Sequence, residues 1–287
     1  MKLYAPSTIR DIKDKHNFRL SKSLGQNFLT DKNIIDKIIN ESNISPNDLV
    51  IEIGPGIGVI TAELAEKGKK VVAVEIDKAL IPILKDTLHD YDNVEVICGD
   101  ILKTDLQKII DDNQPVSGVK IIGNLPYYIT TPIIMNILES GVTADSITIM
   151  MQKEVADRIK SPPGNRVYGA LSVAVQYYCI VHQVASVPKE VFIPQPKVDS
   201  TVLRLDIRKD RPVELIDESA FFACVKAGFG QRRKTLLNSL MATGLAKDDV
   251  REVLNNAGID PIRRAETLNM DEFGKIANSL TLKRKEQ

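Results

Sequence analysis

An apolar run broken by a glycine turn constrains this chain more than any other feature. Leu49-Val50-Ile51-Glu52-Ile53 has the content of a buried strand, and Gly54-Pro55-Gly56-Ile57-Gly58 leads from it into a helical stretch, Ile60 to Lys67. Strand, glycine turn and helix in immediate succession open a βαβ unit whose second strand is Val71–Glu75. The alternation continues with a helix at Ala79–Leu88, strands at Val94–Ile97 and Val119–Gly123, a helix at Pro132–Leu138 and a strand at Ile147–Met151. Strands separated by helices build a parallel, doubly wound sheet, so the fold class is α/β. Upstream, Ile34, Ile35, Ile38 and Ile39 share one face of a helix over residues 31–41, and Pro46-Asn47-Asp48 is the turn into the first strand. Ile180–Val187 and Thr201–Ile207 carry the strand pattern and suit an antiparallel edge.

The chain changes character at Arg208-Lys209-Asp210-Arg211-Pro212, a charged linker. Beyond it the periodicity is helical throughout. Phe221, Phe222, Val225 and Phe229 recur at helical spacing within Glu218–Phe229, as do Phe273, Ile276, Ala277 and Leu280 within Asp271–Leu280. Lys234–Met241 and Lys247–Asn256 complete a small all-helical domain. The expected organisation is therefore a polar, basic arm over residues 1–24, an α/β domain over 25–207 and a helical domain over 208–287.

Charge sharpens the picture. Net charge is zero, yet residues 1–24 hold six Lys/Arg against two Asp, while residues 48–108 hold twelve acids against seven bases. Residues 158–189 and 219–247 contain no acid at all. Such asymmetry fits a phosphate-binding surface beside an acidic small-molecule pocket. Cys98, Cys179 and Cys224 are scattered and odd in number, and His16, His89 and His182 lack neighbouring ligand types, so neither a disulfide framework nor a metal site is expected. With no membrane-length apolar run and no signal-like start, the expectation is a cytoplasmic protein, a monomer, with no membrane partner.

In an open parallel sheet ligands bind at the carboxyl ends of the strands. The glycine turn and Asn124-Leu125-Pro126-Tyr127, which ends the strand at Val119–Gly123, therefore face one crevice. An amide, a free backbone carbonyl, a rigid proline and an aromatic ring suit a planar, amine-bearing base. The plainer reading, a strand-to-helix turn with Tyr127 in the core, loses weight beside the glycine turn. Gly54, Gly56 and Gly58 form GxGxG, whereas a dinucleotide fingerprint needs a glycine where Val59 stands. Glu75, at the second strand's end, is placed to accept both ribose hydroxyls of an adenosine, which alone fits NAD and S-adenosylmethionine equally. Asp100, at the third strand's end, is placed to accept from an adenine amine, with Ile76 and Ile101 as apolar walls. Glu52, Glu75 and Asp100 in register favour a nucleoside pocket, and an acidic pocket suits a sulfonium cation better than a pyrophosphate.

These residues belong to a longer set: Leu24-Gly25-Gln26-Asn27-Phe28-Leu29, Glu52 to Gly58, Glu75-Ile76-Asp77, Gly99-Asp100, Asn124 to Tyr127, Met151 to Ala156, Phe192 to Ser200, Gln231 to Leu236 and Arg263 to Glu266. In this order, the set resembles the ribosomal RNA adenine dimethyltransferases along nearly the whole chain, and most closely their bacterial small-subunit branch. Leu24, where an aromatic residue is usual, is a mild variation.

The resemblance implies a Rossmann-like methyltransferase sheet and S-adenosylmethionine held by Gln26, Asn27, Leu29, Gly54, Gly56, Glu75, Ile76, Asp100, Ile101 and Asn124. It implies a catalytic set of Asn124, Leu125, Pro126, Tyr127 and Phe192, with Tyr127 and Phe192 sandwiching an unstacked adenine. Arg232, Arg233, Lys234, Arg263 and Arg264, with the arm, are expected on RNA phosphates. The expected substrate is small-subunit (16S) ribosomal RNA, dimethylated at two adjacent adenines near its 3′ end. A large-subunit, resistance-type methyltransferase and a non-catalytic ribosome-assembly factor are the alternatives. A nicotinamide oxidoreductase is disfavoured by Val59 and by the lack of a proton-relay histidine.

Overall fold

The computed structural model describes residues 2–21, 24–114 and 117–286. The chain forms two compact units, Met1–Ala156 with Ile180–Ile207, and Asp157–Cys179 with Arg208–Gln287.

In the first unit the elements run α1 (Pro6–Lys15), β1 (Phe28–Leu29), α2 (Lys32–Glu41), β2 (Leu49–Ile53), α3 (Val59–Ala65), β3 (Lys70–Glu75), α4 (Ile81–Thr87), β4 (Val94–Cys98), α5 (Leu106–Asn113), β5 (Val119–Asn124), α6 (Thr130–Glu139) and β6 (Ser146–Gln152). After α7 (Lys153–Ile159) and α8 (Ala170–Tyr178) come β7 (Cys179–Val187), β8 (Phe192–Ile193) and β9 (Ser200–Ile207). Seven strands form one sheet in the order β4-β3-β2-β5-β6-β9-β7. Its first five strands are mutually parallel, and β9 runs antiparallel to β6. The alternation of strand and helix thus yields the α/β sheet it predicts. β1 and β8 pair separately, joining Phe28 to Ile193 and Leu29 to Phe192.

Helix α2 shows how local sequence sets an element. Asp31 accepts hydrogen bonds from the Asn33 and Ile34 amides, satisfying two of the unpaired donors at the helix start. Ile34, Ile35, Ile38 and Ile39 then fall on the buried face. They join Val50, Leu64, Leu84 and Ile122 in the core on one side of the sheet.

The described part of the 1–24 stretch is not a separate basic arm. Ile9 and Ile12 of α1 are 2% and 4% exposed and pack in that same core, while Lys15 is ion-paired with Asp86. The second departure is the boundary between units. Asp157–Cys179, which the sequence assigns to the α/β domain, clusters with the helical tail.

In that second unit the tail supplies α9 (Glu218–Gly230), α10 (Leu236–Ser239), α11 (Lys247–Asn256) and α12 (Met270–Lys285). Tyr177 and Tyr178 of α8 both donate to the Glu218 carboxylate, at 2.9 and 2.6 Å. The Arg211 guanidinium lies 5.5 and 4.8 Å from their ring centres. Phe273, Ile276, Ala277 and Leu280 of α12 are buried, with Phe273 beside Phe229 of α9. The Ala265–Thr267 turn comes so close to α9 that a Cβ on Gly228 would meet Ala265 Cβ at 2.9 Å.

Packing of α1 gives a direct check. Ile9→Ala should destabilise the protein by about 2–5 kcal/mol in denaturant titrations, the cost of a large-to-small change in a core. A free arm would leave the midpoint unchanged.

Candidate active site

One cavity lies at the carboxyl ends of β2, β3, β4 and β5, and its wall collects nearly every residue singled out above. Gln26, Asn27, Phe28 and Leu29 line it with Gly54, Gly56, Glu75, Ile76, Asp100 and Ile101. Asn124, Leu125, Pro126, Tyr127, Tyr128 and Phe192 line it too. Sheet register explains the gathering. Ile53 is aligned with Val74 on one side and with Gly123 on the other, so the turns after β2, β3 and β5 open side by side.

The glycine turn is conformationally demanding. Gly54, Gly56 and Gly58 have φ of 70°, 62° and 89°, a region side chains disfavour. A Cβ on Gly56 would also meet the Phe28 ring at 3.0 Å. The turn therefore keeps its backbone within reach of a ligand. Glu75 ties it to the next strand: Oε2 accepts from the Gly56 amide at 3.2 Å and Oε1 from the Asp77 amide at 2.8 Å. Burial raises the Glu75 pKa above its ordinary value, and these two amides oppose the shift. Each oxygen retains a lone pair for a further donor.

Asp100 caps the short helical turn Ile101–Lys103 through Oδ1, which accepts from the Leu102 amide at 3.1 Å. Oδ2 stands 3.9 Å from Lys103 Nζ. Ile101 is buried and Ile76 half exposed, so the two apolar walls differ in access. Gln26 is a brace: its Oε1 accepts from the Ser21 amide and its Nε2 donates to Asp77 Oδ2 at 2.7 Å.

The Asn124 amide is oriented without ambiguity. Its Nδ2 donates to the Asn27 carbonyl at 3.1 Å, and a carbonyl can only accept, so Oδ1 is left as an acceptor. Next to it, Pro126 O is occupied by the Ile129 amide and the Thr130 hydroxyl. Leu125 O takes no hydrogen bond among the described residues. The side chain of Asn27 folds back on Gly25 O at 2.9 Å, so its backbone, not its amide, steers Asn124.

The Tyr127 hydroxyl is hydrogen-bonded to Ser200 Oγ at 2.8 Å, which links the tetrapeptide to the end of the Phe192–Ser200 segment. Burial raises the Tyr127 pKa, so the phenol stays neutral at physiological pH. Phe192 is 4% exposed and belongs to the hydrophobic core, so it meets the cavity as part of its wall and not as an exposed plate. Ser200, Phe28 and the 63% exposed Tyr128 have no role assigned from the sequence. All three sit inside or beside segments that carry the family resemblance, which is the signal that points to them. Among the described residues no cluster of three His, Cys, Asp or Glu could hold a metal, and no helix is long and apolar enough to cross a membrane.

The basic residues of the helical unit divide into two kinds. Arg263 forms an ion pair with Glu272 and also donates to Thr267 Oγ1 and, at 2.9 Å, to Thr267 O. Its guanidinium ties the 265–267 turn to the start of α12 and has little left for a phosphate. Arg232 donates to the Arg166 and Tyr168 carbonyls at 2.8 and 2.9 Å. Of the five side chains expected on RNA phosphates, Arg263 and Arg232 thus have internal partners, while Arg233, Lys234 and Arg264 are exposed. Arg263→Ala should lower stability by about 1–2 kcal/mol, as loss of a charge-assisted bond does. Arg264→Ala should leave the thermal midpoint in place and reduce the salt slope of RNA binding by about one unit. The reverse pattern would show the two roles exchanged.

Comparison with known proteins now has a geometry to attach to. Residues 17–282 match the model of the family described as ribosomal RNA adenine dimethylase. The chain is 53% identical over 283 residues to ribosomal RNA small subunit methyltransferase A of Clostridioides difficile (strain 630), covering 98% of each. It is 54% identical over 285 residues to the protein of that name from Alkaliphilus oremlandii (strain OhILAs), covering 98% of this chain and 99% of the relative. Among solved structures, a dimethyladenosine transferase from Plasmodium falciparum superposes with a TM-score of 0.77 at 26% identity, over 89% of this chain and 98% of that one. The 23S rRNA methyltransferase ErmE gives a TM-score of 0.67 at 26% identity, over 88% and 99%. Matched over nearly its whole length to these proteins, the chain is a methyltransferase and belongs to the ribosomal RNA adenine dimethylase family.

Proposed function

We propose that this protein dimethylates the N6 amines of two adjacent adenines near the 3′ end of small-subunit (16S) ribosomal RNA, with S-adenosylmethionine as methyl donor. The observation that carries this reading is the Asn124 amide, whose Nδ2 is held by the Asn27 carbonyl so that Oδ1 remains an acceptor, in a residue that lines the cavity together with Leu125.

The donor and acceptor set fits S-adenosylmethionine. Glu75 has accepting capacity for ribose hydroxyls and Asp100 for the adenine amine, with Ile76 and Ile101 as apolar walls. Gly54 and Gly56 permit close backbone approach, and Gln26, Asn27 and Leu29 close the cavity from the N-terminal side. When bound, the cofactor supplies a methyl group made electrophilic by a sulfonium.

The rest is the work of the chain's own residues. An adenine amine is a weak nucleophile because its lone pair is delocalised into the ring. Asn124 Oδ1 and Leu125 O accept its two N–H bonds, orient it and favour the pyramidal nitrogen that attacks. No strong base is needed, since the proton leaves after positive charge has developed on nitrogen. The base is unstacked to reach the cavity, where Tyr127 supplies an aromatic face worth roughly 1–3 kcal/mol and Phe192 backs it as apolar wall. Ser200 fixes the tilt of the Tyr127 ring through its hydroxyl. After the first transfer one N–H remains, enough to hold the amine on one acceptor for the second. Arg233, Lys234 and Arg264 contribute backbone contacts, as expected for an RNA recognised by shape.

Identity of 53–54% to proteins named for the small subunit, against 26% to a 23S enzyme, favours small-subunit over large-subunit RNA. The oriented Asn124 favours catalysis over a purely structural part in ribosome assembly. Asn124→Ala should lower the methylation rate ~10²–10³-fold, the usual effect of losing one transition-state partner. RNA affinity in filter binding should stay within about twofold of native, since Asn124 touches one base among many phosphate contacts. Equal losses of rate and RNA affinity would contradict the assignment.

A further inference from the structure

Tyr128 stands on the cavity wall with no part in the chemistry described so far. It follows Tyr127 directly, lines the same cavity and is 63% exposed. Every other Tyr and Phe of the chain is buried or half-buried, and the chain has no Trp. The one aromatic ring that the protein leaves largely in water therefore sits at its active site. Such a ring forgoes the burial that aromatic side chains normally contribute.

The backbone beneath the ring is rigid. Residues 126–129 form a turn closed by the Ile129 amide, which donates to Pro126 O at 3.1 Å, and the Thr130 hydroxyl donates to the same oxygen at 3.1 Å. Thr130 then opens α6, whose Ile133, Ile134 and Ile137 are buried. The two tyrosines at the centre of this turn are held differently. Tyr127 is tied to Ser200 through its hydroxyl. Tyr128 has no hydrogen bond, ion pair or ring contact among the described residues. Gly25 leaves room beside it: a Cβ there would lie 3.9 Å from the ring atom Cε1 and 3.2 Å from Pro126 Cβ. A ring fixed at its root and largely exposed has the makings of a stacking surface.

Base extrusion calls for such a surface. Drawing one adenine into the cavity breaks its stack with the next base and leaves the face of that base bare. Where two adjacent adenines are both targets, the next base on one side is the other target. We infer that Tyr128 is a platform for that second adenine, stacking on the partner of the base held in the cavity. It replaces the stack lost on extrusion and keeps the pair in place for successive transfers. The inference rests on the function proposed above. Stacking uses the π face and leaves the N6 edge aside, so the platform accepts the partner before and after its own methylation.

Steady-state methylation of undermethylated small ribosomal subunits tests this. Tyr128→Ala should raise the KM for subunits about five- to a hundredfold, the range for loss of one base–aromatic stack. Turnover at saturation and S-adenosylmethionine affinity in calorimetry should stay within about twofold of native, as for loss of binding shared by ground and transition states. Tyr128→Phe and Tyr128→Trp keep a π face and should keep the native KM. A second substrate separates stacking from a structural role: subunits reconstituted with one adenine of the pair abasic, prepared for each of the two in turn. With its base removed, Tyr128→Ala should cost nothing further at the remaining adenine in at least one of these substrates. An unchanged KM for Tyr128→Ala on intact subunits overturns the inference and leaves the proposed function standing. So does a full penalty in both abasic substrates, or a Tyr128→Phe protein as impaired as Tyr128→Ala, which would assign the effect to the hydroxyl. Failure of the native protein to methylate adenine would overturn the proposed function and this inference together.

Discussion

Parallel pairing of β2 with both β3 and β5 is the constraint on which the site depends. With Ile53 aligned to Val74 and Gly123, the glycine turn, Glu75 and Asn124 emerge at one level. A shift of one residue would turn the alternate side chains to the other face of the sheet and separate the three. The register is strongly specified because β2 and β3 are buried on both faces, as central strands of a parallel sheet are. Stability of the core and geometry of the cavity are thus one requirement on the same strands.

On that frame a few hydrogen bonds convert a general crevice into a selective one. Glu75 spans the two loops through the Gly56 and Asp77 amides, so the carboxylate is in place before any ligand arrives. Asn27 O takes the Nδ2 end of the Asn124 amide and leaves Oδ1 as an acceptor. Ser200 holds the Tyr127 hydroxyl. These contacts join segments far apart in sequence, 97 residues for Asn27 and Asn124 and 73 for Tyr127 and Ser200. Preorganisation of this kind removes reorganisation cost at the moment of reaction.

The strands and the glycine turn are legible in the sequence because an apolar run bounded by glycine or proline admits few conformations. The tetrapeptide is legible because it ends such a run. Helix α1 is not, since Ile9 and Ile12 are isolated among polar neighbours and only the folded core shows them buried. Nor does a local pattern assign Asp157–Cys179 to the helical unit. That follows from Tyr177 and Tyr178 meeting Glu218, some 40 residues onward. Composition likewise cannot separate Arg263, held by Glu272 and Thr267, from the exposed Arg264.

The central claim is that Asn124 to Tyr127 grip an adenine amine twice in succession. The most direct test incubates the native protein with isotopically labelled S-adenosylmethionine and undermethylated small ribosomal subunits. Mass spectrometry then maps the modified nucleotides. The account predicts label in dimethyladenosine at two adjacent positions near the 3′ end of the small-subunit RNA. Monomethyladenosine alone, label on a base other than adenine, or label confined to large-subunit RNA would contradict it.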